Sequence, residues 1–127
     1  MNIKLDSRKV TKGDTFIAIK GINRDGHDYI EQAINNGATK IIAEKGEYSV
    51  ETQIVEDTKK YLTQYLEDTY YNDLKDITFI GMTGTNGKTT SCYLIYQLLN
   101  KLGMKTAYIG TIGFYLNDKC INLENTT

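Results

Sequence analysis

Short apolar runs alternate with amphipathic stretches along the first part of the chain. The run at residues 16–19 predicts a short buried strand that ends at Gly21, and the runs at 40–43 and 53–55 predict two further strands. Apolar residues recur at helical spacing over residues 29–34 and again over 61–70, which predicts two helices. The sequence therefore predicts a small domain of mixed α/β class.

Capping signals fix the ends of these two helices. Asp28 is a plausible N-cap for the first helix, which Gly37 ends, and Asp57 or Thr58 caps the second. The second helix carries a stripe of tyrosines and leucines, and at this spacing we interpret the stripe as core and interface rather than as a ring-stacking surface. The stripe comprises Tyr61, Leu62, Tyr65, Leu66, Thr69 and Tyr70.

A polar stretch at residues 72–76 separates this region from a second one, and we place a domain boundary there, giving domains 1–74 and 75–127. In the second domain, apolar runs at residues 77–80 and 106–109 flank a glycine-rich loop and an amphipathic helix. A right-handed crossover would make the two strands parallel. Two parallel strands do not form a sheet that stands alone, so we expect the first to lack most of its sheet.

Composition and charge narrow the classes of function. The chain has 15 basic and 16 acidic residues and a net charge of -1, which argues against binding nucleic acid by net attraction. No apolar run approaches the roughly 18 residues of a membrane span, and the start is not a signal peptide, so we expect a cytoplasmic protein without membrane contact. Cys92, Cys120 and the single histidine, His27, do not make a zinc set. We expect free thiols, and a capping or packing role for His27 rather than catalysis.

The chain contains only two arginines, Arg8 and Arg24, against many lysines. An arginine is hard to replace where its planar guanidinium group donates two parallel hydrogen bonds to a phosphate or carboxylate. Each of the two could bind a ligand, or could be a surface charge or the partner of an internal carboxylate such as Asp14. The residues alone leave these alternatives open.

The glycine-rich loop is the segment with the clearest chemistry. Its pattern is Gly84-x-x-Gly87-Lys88-Thr89, between an apolar run and an amphipathic helix, which is the context for binding phosphate at a helix N-terminus. Lys88 can reach phosphate oxygens, and the Thr89 hydroxyl can join a Mg²⁺ shell. The loop departs from the standard spacing, because Met82 stands where the first glycine is expected.

Residues 83–90 resemble the ATP-binding loop of the Mur ligase family, which builds the peptide stem of peptidoglycan. The segments at 6–8, 13–21 and 25–30 resemble the N-terminal UDP-binding domain of the members that add the third amino acid and of those that add D-Ala-D-Ala. Residues 110–113 and 125–127 resemble the former. The fold implied is a small α/β UDP-binding domain followed by the first β–P-loop–α–β unit of a parallel-sheet ATPase domain.

The resemblance also implies site residues and ligands. It assigns ATP to Gly84, Thr85, Asn86, Gly87, Lys88, Thr89 and Thr90, with Lys88 as the catalytic residue that neutralises phosphate charge and Thr89 as a Mg²⁺ ligand. It places the uridine diphosphate end of the substrate at Leu5, Ser7, Ile22, Asn23 and Arg24. It places the muramoyl-peptide side at Asn125, Thr126 and Thr127.

The implied reaction is ATP-dependent amide formation. The terminal carboxylate of UDP-MurNAc-L-Ala-D-Glu forms an acyl phosphate, from which a diamino acid, meso-diaminopimelate or L-lysine, displaces phosphate. The partners expected are these small molecules and ATP, bound by a monomer. Family enzymes are several times longer than this chain, so we expect the chain itself to be inactive. A D-Ala-D-Ala-adding ligase and a non-catalytic module that binds UDP or another nucleotide are the alternatives.

Overall fold

The structure is a computed structural model that describes residues 2–121. Two compact units divide the chain, one over Met1–Ile77 and the other over Thr78–Thr127. The predicted boundary after residue 74 coincides with the end of the long helix of the first unit.

The first unit is built on a four-stranded sheet in which every neighbouring pair is parallel, in the order β1-β2-β3-β4. Its strands are β1 (Ile3–Lys4), β2 (Thr15–Ile17), β3 (Lys40–Ala43) and β4 (Glu51–Ile54). Its helices are two 3-10 turns, Ser7–Lys9 and Gly26–Tyr29, and the α-helices α1 (Ile30–Asn35) and α2 (Thr58–Leu74).

The core of this unit lies along the two central strands. Phe16 and Ile17 of β2 and Ile41 and Ile42 of β3 are at most 1% exposed, and Ile30 of α1 is fully buried. Consecutive residues of β2 and β3 are buried because parallel strands covered on both faces do not alternate between core and solvent. Each such side chain contributes about 1.5–3 kcal/mol to stability.

The first helix begins differently from the prediction. Asp25, not Asp28, is the cap: its side chain accepts a hydrogen bond from the backbone N–H of His27 and starts the 3-10 turn Gly26–Tyr29. The α-helix itself begins only at Ile30. Asp25 and Asp28 are both aspartates that could accept a hydrogen bond from a free N–H at the start of a helix. The local sequence pattern therefore does not distinguish between the two.

The second helix confirms its cap and half of its predicted core stripe. The Asp57 carboxylate accepts hydrogen bonds from the N–H groups of Lys59 and Lys60, at 2.9 and 3.0 Å. Tyr61 and Leu62 are partly buried. The C-terminal half is not core, since Leu66 is 44% and Tyr70 46% exposed, and an interface role for it stays a prediction. The helix extends beyond the sheet, so only its first turns reach the core.

The second unit contains a helix and an antiparallel sheet. The helix is α3 (Lys88–Lys101), and the strands are β5 (Ala107–Gly110), β6 (Gly113–Leu116) and β7 (Lys119–Ile121), in the order β5-β6-β7. A two-residue turn joins β6 to β7 through Asn117 and Asp118, both with positive φ, as a type I′ hairpin requires.

The predicted strand at residues 77–80 is wrong for this structure. These residues form no strand and belong to no β-ladder of the described residues, and Phe79 is 74% and Ile80 61% exposed. The predicted parallel pairing with β5 is wrong too, since β5 pairs antiparallel with β6. A buried parallel strand needs neighbours on its edges, and residues 78–121 offer it none.

Four tyrosines join α3 to its sheet. Tyr93 and Tyr96 of α3 meet Tyr108 of β5 and Tyr115 of β6, with ring centroids 5.2 to 6.4 Å apart in every pairing. Tyr96 is 3% and Tyr108 5% exposed. Tilted and edge-on rings at these separations attract each other beyond the effect of burial alone. This cluster fixes the helix that follows the phosphate loop.

Candidate functional site

A cleft of about 330 Å³ lies in the first unit. Its walls come from the turn after β1, the segment between β2 and α1, and α1 itself. Of the residues that the sequence assigned to uridine diphosphate, Leu5, Ser7 and Arg24 line this cleft. The other two do not: Ile22 is fully exposed at the tip of the segment, and Asn23 is exposed beside it.

Ser7 lines the cleft and is 5% exposed. Its Oγ donates a hydrogen bond to Oε1 of Gln32 at 2.7 Å, and its backbone carbonyl accepts one from Nδ2 of Asn36 at 2.9 Å. Both partners belong to the region of α1, one on the helix and one at its end. The serine is therefore held through its side chain and its backbone.

Arg8 forms an ion pair with Asp6. Its Nε and one terminal nitrogen reach the two carboxylate oxygens at 2.9 and 2.7 Å. These hydrogen bonds, together with one from the backbone N–H of Arg8, lower the pKa of Asp6 to about 2. The other proposed partner, Asp14, instead accepts hydrogen bonds from Thr11 and Asn2. Arg8 thus has a carboxylate partner at the edge of the cleft, and its side chain is 75% exposed.

The segment that carries Arg24 is a narrow loop. Lys20 and Asp25 form a β-bridge at its base, and the N–H of Gly21 donates to the carbonyl of Arg24 at 2.8 Å. Gly26 closes the loop against Ile19, where a Cβ atom would lie 2.6 Å from a backbone nitrogen. Among residues 2–121, no carboxylate pairs with the Arg24 guanidinium. Arg24 is the cation of the cleft that has no protein partner in that range.

His27 has the packing role that the sequence favoured. Its Nε2 accepts a hydrogen bond from the backbone N–H of Glu44 at 3.0 Å, and its Nδ1 lies 2.6 Å from Oδ1 of Asp25. Hydrogen bonds from the backbone N–H and the ring of His27 lower the pKa of Asp25. With both ring nitrogens engaged inside the protein, the imidazole ties the loop to the end of β3.

The phosphate loop of the second unit leads directly into α3. Gly84 has φ 149° and Gly87 φ 76°, and α3 begins at Lys88, with Gly87 as its N-cap and no side chain capping it. The first backbone N–H groups of a helix without such a cap are free to meet an anion. A Cβ at Gly87 would meet no atom within 4 Å, so the positive φ and not packing requires glycine there.

The side chains of this loop suit a phosphate group and a bound cation. Lys88 is exposed and Thr89 is partly buried at the first turn of α3, with Thr90 exposed after it. Thr85 and Asn86 are exposed in the bends before the helix. An ammonium group and a hydroxyl beside free N–H donors are the groups that phosphate and its Mg²⁺ need. Asn125, Thr126 and Thr127 lie outside the described residues.

Metal-binding side chains, thiols and the hydropathy of the helices are further chemical features of residues 2–121. No group of three or more metal-binding side chains occurs among them. Cys92 and Cys120 are free thiols, as the sequence predicted. A hydrogen bond with Cys120 raises the pKa of Tyr115, which belongs to the tyrosine cluster. No helix within this part of the chain has the length and apolar character needed to cross a bilayer.

Sequence reasoning missed several residues of the cleft. Phe16 forms its apolar wall, Tyr29 stands at its edge, and Gln32 holds Ser7. The sequence pattern indicates only a core strand residue at Phe16 and only part of a helix at Tyr29. The Ser7–Gln32 bond joins positions 25 residues apart, a distance that no local motif encodes.

Each of the two units matches a protein-family model. Residues 1–72 match the model described as the Mur ligase family, catalytic domain, and residues 82–127 match the Mur ligase middle domain. The first match alone covers more than half of the chain. The chain belongs to the Mur ligase family.

The names of similar curated proteins are more specific than the family descriptions, since they state a reaction. The UDP-N-acetylmuramoyl-L-alanyl-D-glutamate--2,6-diaminopimelate ligase of Clostridium perfringens is 41% identical over 131 residues, which cover 99% of this chain and 27% of that protein. The ligase of the same name from Halalkalibacterium halodurans is 39% identical over 127 residues, covering 99% and 26%. The chain thus spans about a quarter of the length of these relatives.

Solved structures agree with the fold class. The MurF ligase of Thermotoga maritima in complex with ADP matches with TM-score 0.63 and 32% identity, over 87% of this chain and 25% of that one. A UDP-N-acetylmuramoyl-L-alanyl-D-glutamate--2,6-diaminopimelate ligase matches with TM-score 0.63 and 28% identity, over 94% and 25%. The predicted α/β class is confirmed.

Proposed function

We propose that the chain is the N-terminal part of an ATP-dependent ligase that adds 2,6-diaminopimelate to UDP-MurNAc-L-Ala-D-Glu. The observation that supports this most directly is the single cleft into which Leu5, Ser7 and Arg24 all project. The name shared by relatives about 40% identical across the chain supports diaminopimelate over L-lysine. On this proposal residues 1–74 bind the UDP end of the substrate and residues 75–127 begin the ATP-binding domain.

The cleft has the two kinds of surface that a uridine diphosphate requires. Leu5 and the buried Phe16 form an apolar wall suited to a flat base. Arg24 lies on the exposed side, and its guanidinium can donate two parallel hydrogen bonds to phosphate. Ile22 and Asn23 are outside the cleft in this structure, and they contribute only if the loop closes over the ligand.

The phosphate loop is our proposed ATP site. The N–H groups that open α3 receive the phosphates, Lys88 neutralises their charge, and Thr89 contributes a hydroxyl to Mg²⁺. Mg²⁺ bound there supplies charge neutralisation during phosphoryl transfer. The loop segment from Gly84 to Thr90 holds and orients the nucleotide, which is most of what phosphoryl transfer requires of a protein.

The complete reaction needs more than this chain. The relatives are about four times as long, and this chain covers 27% of the first of them. We therefore propose that the chain alone binds nucleotides but forms no amide bond. Since its ligands are cytoplasmic metabolites, we place it in the cytoplasm, as a monomer.

A D-Ala-D-Ala-adding ligase is the second candidate. A solved structure from Acinetobacter baumannii with that activity in its name matches the chain at 30% identity with TM-score 0.63. The curated relatives favour the diaminopimelate-adding enzyme at 38–41% identity. Adding each amine in turn to the ligase extended to full length distinguishes the two.

Binding of UDP tests the first step of the proposal. In ¹⁵N chemical-shift mapping of the full chain, we expect UDP to shift residues 5–8 and residue 24. Arg24→Lys should weaken binding about ten-fold, because a point charge does not replace the guanidinium fork. Lys60→Ala, on the exposed face of α2, is the matched control and should change nothing. If UDP shifts no resonance around the cleft, the proposed site is wrong.

A further inference from the structure

Residues 20–26 form the loop that carries Arg24 along one side of the cleft. The hydrogen bonds within this loop, such as the one from the N–H of Gly21 to the carbonyl of Arg24, join its two arms to each other. The arm that enters the loop continues from β2. The arm that leaves it is fixed to the sheet at His27, whose Nε2 accepts a hydrogen bond from the backbone N–H of Glu44 at 3.0 Å. The position of Arg24 therefore depends on the His27 side chain.

The His27 side chain is 7% exposed and makes this bond in only one protonation state. Its Nδ1 lies 2.6 Å from Oδ1 of Asp25, and an ionised carboxylate only accepts, so the hydrogen of the neutral ring is on Nδ1. Nε2 then has the lone pair that meets the N–H of Glu44. In the imidazolium both ring nitrogens carry a hydrogen. Two donors would then face each other, so a protonated ring must leave this position.

The N–H of Glu44 is held in place from two sides. Glu44 follows the last residue of β3, Ala43, which is paired with Ile54 of β4. The Glu44 carboxylate accepts a hydrogen bond at 3.2 Å from the N–H of Thr58, which is fully buried at the start of α2. Asp25 stays with the ring, because protonation turns their hydrogen bond into an ion pair. The loop, and not the sheet, is therefore the part that moves when the ring is protonated.

We propose that His27 is a positioning residue, which keeps Arg24 at the cleft while its imidazole is neutral and releases the loop 20–26 from the sheet when the imidazole is protonated. This role rests on the proposed function, since it presupposes that the cleft takes a uridine diphosphate. Histidine is the side chain whose charge ordinarily changes between pH 5 and 8. The cleft should therefore hold the diphosphate of its ligand less tightly toward the acidic end of that range.

The other charged groups near the ring do not account for such a change. Those on its own loop and turn and on the elements around it are Lys20, Asp25, Asp28, Glu31, Glu44 and Asp57. Carboxyl groups ordinarily titrate at about pH 4 and amino groups at about pH 10. Hydrogen bonds from the backbone N–H and the ring of His27 lower the pKa of Asp25, which keeps its carboxylate ionised. The pKa of Asp6, which lines the cleft, is about 2.

The affinity of the full chain for UDP-glucose at pH 8 and at pH 5 measures this dependence. UDP-glucose is the probe because the terminal phosphate of free UDP itself titrates at about pH 6, whereas its diphosphate is esterified at both ends. For the unmodified chain we expect binding about ten-fold weaker at pH 5, the ratio that the loss of one hydrogen bond to a charged group produces. Equal affinity at both pH values would overturn the inference and leave the proposed function standing. No binding at either pH would overturn both.

Two variants attribute the effect to the ring and to the cation. His27→Gln keeps an acceptor for the N–H of Glu44 but does not titrate, so its affinity should be the same at both pH values. Arg24→Ala removes the group whose position is at stake, so it should bind weakly and again without a pH difference. A pH difference that persists undiminished in either variant would overturn the inference.

A measurement on the unmodified chain makes the test independent of the variants. The ¹⁵N shifts of the His27 ring report its protonation and tautomer, and the amide resonances of Gly21 and Arg24 report the loop. We expect the neutral ring to carry its hydrogen on Nδ1, and the loop resonances to change with pH together with the ring. A neutral ring with its hydrogen on Nε2, or loop resonances that do not follow the ring, would contradict the positioning role.

Discussion

Replacing Gly26 by alanine tests whether the loop that carries Arg24 is built as described. A Cβ at this position would lie 2.6 Å from the backbone nitrogen of Ile19, 2.8 Å from its oxygen and 3.0 Å from the carbonyl carbon of Ala18. All three are backbone atoms, so no side chain can turn away. The N–H of Gly26 also donates to that same Ile19 oxygen at 2.9 Å, which ties the two segments together.

The expected loss of stability follows from this geometry. Contacts of ordinary length begin near 3.4 Å, so the two backbone segments must separate by several tenths of an ångström. Forcing one extra methyl group into a packed site costs about 1–3 kcal/mol. For a domain of this size we expect the melting temperature to fall by roughly 4–8 °C for each kcal/mol. The shift also moves Arg24 away from the cleft, so UDP binding should weaken beyond what unfolding explains.

Gly13→Ala is the matched control. Gly13 has φ +93°, but a Cβ there would meet nothing within 4 Å, so alanine is strained only by its backbone, at a cost of roughly 1–2 kcal/mol. Thermal unfolding followed by circular dichroism and titration with UDP measure both variants. We expect both to lower stability and only Gly26→Ala to lower the affinity of the folded protein. A Gly26→Ala variant that melts and binds UDP like the unmodified chain would refute the close approach of the loop to Ile19.

The remaining predictions concern acid stability, ATP and the tyrosine cluster. The pKa of Asp6 is lowered from 3.8 to about 2, so its contribution to stability is complete above pH 3.8 and disappears as the pH falls toward 2. The urea midpoints of the unmodified chain and Asp6→Asn should therefore converge over that interval. Lys88→Ala should reduce ATP binding at least ten-fold by equilibrium dialysis, while leaving UDP binding unchanged. Tyr96→Ala should destabilise the second unit by about 3–5 kcal/mol, whereas Leu98→Ala, at a site 57% exposed, should change stability by less than about 0.5 kcal/mol. Near-ultraviolet circular dichroism of the tyrosines reports both variants, and equal effects would contradict the packing described.

Sequence reasoning succeeded where structure is decided locally. The run 40–43 is a buried strand, and Asp57 caps α2, because apolar runs and capping acceptors act within a few residues. The glycine-rich loop leads into a helix as predicted, because Gly87 and the first residues of α3 are adjacent in sequence, and its role in binding phosphate stays a prediction.

The cleft could be predicted only in part. Leu5, Ser7 and Arg24 came from a family resemblance and do line it. Gln32 could not be found in that way, because its role arises from a hydrogen bond between distant segments. The Arg8 alternatives also needed coordinates, since the ion pair with Asp6 depends on the backbone of a 3-10 turn, and composition does not report that conformation.

In the second unit, the apolar pattern of α3 predicts more buried surface than the structure shows. Helix α3 is apolar on two sides: Tyr93 and Tyr96 pack on the sheet, while Leu94, Leu98 and Leu102 are 58%, 57% and 67% exposed. A helix that is apolar on two sides is typical of a position between two packed layers. Residues 78–121 provide only one such layer, the sheet β5-β6-β7.

The apolar run at residues 77–80 has the same origin. It reads as the central strand of a parallel sheet, yet it is exposed and has no strand partner among the described residues. The match to the Mur ligase middle domain begins at residue 82, so this run lies just before the matched residues. The phosphate loop lies between this run and α3. Its glycines and the start of the helix form locally, whereas a strand before it would need a paired neighbour, which the described residues do not supply.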